Sequence, residues 1–130
     1  MELWEAMENR FSYRGKYTSA PVPHADLEQL LHAGLIAPSG CNRQTPQFLA
    51  IDDPVLLKKI ATFFNMPNTD TATAGICVLS RPRAAIDGKS YAIQDYSGAI
   101  ENILLAVTCL GYASCWLEGQ THAPGIAQQI

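Results

Sequence analysis

A helix-rich α+β domain, with helices packed against a small sheet, is the fold class the sequence predicts. Three observations carry it. Several segments repeat apolar residues at three- and four-residue spacing, only three short runs read as strands, and nothing among the 130 residues resembles a repeat, a low-complexity tract or a dividing linker.

The elements follow in order. Glu2 to Asn9 is a short helix with Leu3, Trp4 and Met7 on one face, followed by the polar, basic loop Arg10-Phe11-Ser12-Tyr13-Arg14-Gly15-Lys16. Asp26 opens a second helix in which Leu27, Leu30, Leu31, Leu35 and Ile36 keep helical spacing, and Pro38 stops it. Pro38 to Pro46 is a long polar turn. Phe48 to Ile51 is a strand, and Asp53-Pro54 starts a third helix, with Asp53 as N-cap, Pro54 in the first helical position and Leu56, Leu57, Ile60 and Phe63 or Phe64 on the buried face. Asn65 to Thr71 reads as a turn-rich gap. Gly75 to Leu79 is a second strand, expected to be buried on both faces and ended by Arg81-Pro82-Arg83.

The longest helix is expected from about Ala92 to Leu110, where Ile93, Tyr96, Ile100, Ile103, Leu104, Val107 and Leu110 hold the period. From Ile103 to Leu110 only Thr108 is polar, so this half has no wet face and calls for cover from a second subunit as well as from its own chain. Gly111 to Leu117 then forms a third short strand that ends in Glu118-Gly119.

Composition narrows the function. Hydrophobic residues make up 48% and charged residues 16%, which excludes disorder and lets a chain of this length bury roughly two-thirds of its unfolded surface. Nine Lys and Arg stand against 12 Asp and Glu, a net charge of -3 with no basic run, so nucleic acid is not the expected partner. No apolar stretch is long enough to span a membrane, and the start Met1-Glu2-Leu3-Trp4-Glu5 lacks a secretion signal, so the expected location is cytoplasmic. Cys41, Cys77, Cys109 and Cys115 sit singly, without metal-ligand spacing, and read as free thiols.

Three clusters carry polar chemistry. Arg10, Ser12, Arg14 and Lys16 alternate along a loop and suit a phosphate or another short anion, or form an ordinary solvated loop. In Pro38-Ser39-Gly40-Cys41-Asn42-Arg43-Gln44, two amide side chains and a hydroxyl match the mixed donor and acceptor edge of a heterocycle, or simply build a turn. Trp116-Leu117-Glu118-Gly119 is a strand end whose backbone amides become free to donate to a ring nitrogen, or an ordinary terminus with a glycine turn.

In this order and at these separations, the clusters resemble the FMN-dependent nitroreductase family. Its Arg-x-Ser-x-Arg loop corresponds to Arg10-Phe11-Ser12-Tyr13-Arg14. Its Ala-Pro-Ser turn and Asn-x-Gln-Pro segment correspond to Ala37 through Phe48, with Thr45 inserted before Pro46. Its long dimer helix, introduced by an aspartate, corresponds to Asp95 through Ala106, and its glycine turn and tryptophan strand to Gly111 through Trp116.

The resemblance implies a single nitroreductase-like domain over residues 1–130, with a small mixed sheet, a long central helix at a homodimer interface and no counterpart of the family's C-terminal strand. It implies FMN as cofactor, NAD(P)H and a small planar acceptor such as a nitroaromatic or quinone as substrates, and a ping-pong cycle with no catalytic side chain and no metal. Arg10 and Ser12 would hold the flavin phosphate, and Arg14 would sit near the ribityl chain and pyrimidine edge. Pro38, Ser39 and Gly40 would come from the other subunit, with Asn42 and Gln44 adding polar contacts. The amides of Glu118 and Gly119 would address N5. Two other readings stay open: a flavin-binding or storage protein with little turnover, and a truncated, non-catalytic dimeric scaffold.

Overall fold

The computed structural model describes residues 1–81, 83, 84 and 88–129. Helix α1 (Leu3–Asn9) leads to the basic loop and then to α2 (His24–Leu35). After the polar turn come strand β1 (Pro46–Ile51), helix α3 (Pro54–Phe64), the short helix α4 (Pro67–Thr71), strand β2 (Gly75–Ser80) and the long helix α5 (Ala92–Cys109). A 3-10 turn over Gly119–His122 follows. The α+β class is borne out.

Local chemistry sets the boundaries. The Asp53 carboxylate accepts from the amide of Leu56 at 2.7 Å and Pro54 opens α3, as the sequence predicts. Asn65 closes that helix in the left-handed region at φ 50°. Helix α2 starts two residues before the expected Asp26: the Pro23 carbonyl accepts from the amides of Asp26 and Leu27, leaving Asp26 in the first turn, where its charge suits the helix dipole.

The core lies between α2, α5 and one face of the sheet. Leu27 and Leu30 of α2 meet Ile103 and Val107 of α5, with Phe48, Ala50, Ile76 and Tyr112 packed around them. Burying each of these four side chains contributes roughly 1.5–3 kcal/mol. Gly34 permits the close approach of α2: a Cβ there would stand 2.9 Å from both Ile103 and Phe48 side chains.

Several expectations need correction. Strands β1 and β2 pair antiparallel, with Phe48 opposite Val78 and Ala50 opposite Ile76, so the regular sheet among the described residues is not mixed. The stretch Gly111 to Leu117 adds only a single parallel bridge, Ser12 to Ser114, in place of a third strand. β2 is not buried on both faces: Ile76 faces the core while Leu79 is 52% exposed, because helices cover one side of a two-stranded ribbon. On α1 only Ala6 is buried, and Leu3, Trp4 and Met7 lie exposed. Leu35, Ile36 and Leu56 are likewise exposed, since α2 and α3 turn other residues inward. The gap at Asn65 to Thr71 contains α4, started by Pro67. The expected stop at Arg81-Pro82-Arg83 falls in part on Pro82, outside the described residues.

Helix α5 keeps nearly its expected length. Ile103 and Val107 are buried, whereas Leu104, Leu105 and Ala106 remain half-buried and Cys109 is exposed. No helix among the described residues is long and apolar enough to cross a membrane. All four cysteines are free.

Candidate functional site

An isolated parallel bridge joins Ser12 to Ser114. With the Tyr13 amide donating to the Ser114 carbonyl at 2.9 Å, it lays the loop after α1 against the segment after α5. An open cleft of about 330 Å³ results, lined by Ser12, Trp116, Glu118 and Gly119. Ser12 of the first sequence cluster and Trp116, Glu118 and Gly119 of the third, about a hundred residues apart, therefore share one cavity.

The loop is held from below. Asn68 of α4, 2% exposed, donates from Nδ2 to the Tyr13 carbonyl at 3.1 Å, and the Tyr17 amide donates to the Thr71 hydroxyl at 2.9 Å. The Tyr13 and Tyr17 rings lie 5.2 Å apart. Burial, followed by the nearby Cys115, raises the Tyr17 phenol above its ordinary range. Arg10 pairs with Glu101 of α5 at 3.4 Å, a partly exposed contact worth little alone. Arg14 donates from Nη1 to the Ser12 carbonyl at 3.2 Å, and neither Arg10 nor Arg14 is among the residues that line the cleft.

At the far wall, Glu118 is fixed through its oxygens. The Tyr96 hydroxyl donates to Oε1 at 3.1 Å and His122 Nε2 lies 3.6 Å from the same atom. The Glu118 carbonyl accepts from the Thr121 amide at 2.9 Å and from its hydroxyl at 2.6 Å. Among the described residues, no backbone carbonyl accepts from the amides of Glu118 or Gly119. Those two N–H groups stand unclaimed where a ring nitrogen or oxygen could accept from them.

The second cluster does not line this cleft. Its turn is anchored to the start of α5: the Gly40 amide donates to Asp95 Oδ1 and the Thr45 hydroxyl to Asp95 Oδ2, both at 2.7 Å. Ser39 Oγ accepts from the Gln44 amide at 2.8 Å, and Gly40 lies so close to Tyr91 that a Cβ would meet its ring at 2.7 Å. Cys41, Asn42 and Gln44 adopt left-handed φ values of 53°, 51° and 48°. Pro38, Asn42 and Gln44 are exposed, while Ser39 and Gly40 are half-buried.

Sequence reasoning did not single out Tyr96, Asn68 or Trp116 as site residues. Tyr96 reads as one more member of the helical period, and Asn68 as a turn residue. Trp116 lay in view within the third cluster, but its place on the cleft wall depends on the Ser12 bridge.

The class of protein is fixed first by shape. The chain superposes on a Bacteroides fragilis nitroreductase crystallised with bound FMN with a TM-score of 0.77, at 28% identity over 98% of this chain and 77% of that one. On a Desulfovibrio desulfuricans protein, described provisionally as a nitroreductase in complex with FMN, the TM-score is 0.82 at 26% identity, over 99% of this chain and 76% of the other. This is the nitroreductase fold.

Sequence then gives the family. Residues 7–70 match the Nitroreductase family. A curated Archaeoglobus fulgidus protein, named provisionally as an NADH dehydrogenase/NAD(P)H nitroreductase, is 37% identical over 105 residues, which are 78% of this chain and 59% of that protein. The chain belongs to the nitroreductase family. It spans about three fifths of the length of such curated relatives.

Proposed function

We propose that this chain is a flavin oxidoreductase that binds FMN in the Ser12–Gly119 cleft and passes reducing equivalents from NAD(P)H to a small planar acceptor such as a nitroaromatic or quinone. The observation that carries the reading is the cleft itself: Ser12 of the basic loop faces Trp116, Glu118 and Gly119 across the Ser12–Ser114 bridge, and the Glu118 and Gly119 amides have no backbone acceptor among the described residues. The FMN-bound neighbours support the choice of cofactor.

The residues present fit that cofactor. Arg10, Ser12 and Arg14 supply two cations and a hydroxyl for a phosphate and a polar chain. Trp116 offers an aromatic wall, 38% exposed, and the Glu118 and Gly119 amides offer donors for a ring edge. Bound there, FMN would take hydride at N5 from NAD(P)H and return it to the acceptor in alternating half-reactions.

The chain's own part is binding and orientation. Asn68 and the Ser114 carbonyl keep the Ser12–Arg14 loop in place, and Arg14, which donates to the Ser12 carbonyl, is assigned the role of a positive charge near the ring edge where electron density would grow. Pro38, Ser39, Gly40, Asn42 and Gln44 are assigned to the site of a second protomer, since their turn is rigidly tied to Asp95 yet lies off this cleft. Exposed Leu3, Trp4, Met7, Phe11 and Ile93, with half-buried Leu104, support a homodimer that covers them. Cytoplasmic residence belongs to the same reading and accords with four free thiols.

Purified protein tests the proposal. A yellow complex with FMN that bleaches on anaerobic addition of NADH or NADPH, and recovers its colour on addition of a quinone, is the expected result. A yellow protein that stays oxidised would instead be a flavin-binding or storage protein. A colourless one after incubation with FMN would be a scaffold.

A further inference from the structure

Glu118 occupies an unusual position in the hydrogen-bond network. Its carbonyl is doubly occupied by Thr121, and Oε1 receives the Tyr96 hydroxyl at 3.1 Å with His122 Nε2 at 3.6 Å. Its own amide and that of Gly119 have no backbone acceptor among the described residues. The bonds from Thr121 and His122 arise within the same 3-10 turn and move with it. The Tyr96 bond alone comes from α5, whose neighbouring residues Asp95, Ala99 and Ile100 are buried. A Cβ at Gly119 would meet nothing within 4 Å.

We propose that Tyr96 is a positioning residue: its phenol, carried by α5, holds the Glu118 side chain and so keeps the Glu118 and Gly119 amides ordered at the cleft wall. Burial, with the Glu118 carboxylate behind it, raises this phenol above its ordinary range, so it remains a donor through neutral and mildly alkaline conditions. The ligand that these amides receive is the FMN of the preceding reading, and the inference rests on that reading for the ligand only.

The test begins on protein without flavin, by 15N relaxation at the Glu118 and Gly119 amides. Both are expected to be ordered in the wild type and mobile on the picosecond to nanosecond scale in Tyr96→Phe, which removes the donor and keeps the ring. Glu118→Ala should reproduce that mobility and carries the same readout should Tyr96→Phe not fold. Glu118→Gln retains an oxygen for Tyr96 and should retain the order. Titration with FMN should then show roughly tenfold weaker binding to Tyr96→Phe, the loss of about one hydrogen bond, together with a shifted midpoint potential for the bound flavin.

Amides that stay equally ordered in Tyr96→Phe and Glu118→Ala would overturn the positioning role, whatever happens to FMN affinity. Should the wild type bind no FMN while the amides loosen as described, the positioning role stands and the cofactor reading fails.

Discussion

The Thr45 hydroxyl donates to Asp95 Oδ2 at 2.7 Å, joining the entrance of β1 to the first turn of α5 across 50 residues of sequence, with both side chains buried. Thr45 is the residue that the family resemblance marks as inserted before Pro46, and this bond gives it a structural task. Asp95 also accepts from the Gly40 amide, so a single carboxylate secures both ends of the polar turn. Thr45→Val keeps the shape and deletes the donor. A hydrogen bond to a charged group is worth about 1.5–3 kcal/mol, and the expected loss of stability in urea titration falls in that range.

Gly40→Ala addresses the same turn through sterics. The added methyl would stand 2.7 Å from both Cβ and ring atoms of Tyr91, too near the backbone for a rotamer change to relieve. The turn must shift off α5, stretching the Gly40–Asp95 bond, with an expected loss of at least about 1–3 kcal/mol. Altered amide shifts from Ser39 to Thr45, with the α2–α5 core resonances unmoved, would locate the change.

Tyr112 donates to Asp26 Oδ2 at 2.5 Å, and this bond, with burial and the carboxylate's charge behind it, raises the Tyr112 phenol above its ordinary range. The folded chain thus holds this proton to higher pH than the unfolded chain, where tyrosine titrates near about 10. Stability from this contact is complete below that value and falls as pH climbs through the raised folded value. Tyr112→Phe should lower stability at neutral pH and decline less steeply than wild type in alkaline denaturation series. Parallel alkaline curves for the two proteins would contradict the assignment.

Arg14→Ala is expected to slow reduction by NAD(P)H more than it weakens FMN binding, because a cation beside the ring acts chiefly on the electron-rich state. Stopped-flow reduction and FMN titration on the same preparation separate the two. Equal losses would assign Arg14 to ground-state binding alone.

Leu104→Asp places a charge on the half-buried face of α5 and should yield monomer or aggregate in light scattering, if that face is covered by a second copy. An unchanged dimer would put the interface elsewhere.

The sequence was most legible where one local signal sufficed. The Asp53-Pro54 start of α3 and the long apolar period of α5 are such cases, since cap chemistry and helical spacing need no tertiary partner. Exposure was harder to read: the stripe Leu3, Trp4 and Met7 implies a buried face, yet in the single protomer only Ala6 of α1 is covered. Strand order also escaped local reasoning, because the stretch after Gly111 meets the N-terminal loop at one bridge instead of extending the β1–β2 ladder. In the candidate site, Ser12, Glu118 and Gly119 were found by type and motif and do share a cleft. The residues that hold them, Tyr96 and Asn68, act through contacts 22 and 55 residues away in sequence, which no local pattern encodes.

Among the described residues Asn68 is the largest of the most deeply buried side chains, and it grips the carbonyl of Tyr13, the very next residue after Ser12. The rim of the cleft is thereby wedded to the interior: a backbone that would fray freely as a surface loop can open only when α4 lets go. Ser12 should be among the last parts of the N-terminal third to surrender under denaturant, so that the pocket's mouth endures about as long as the fold beneath it.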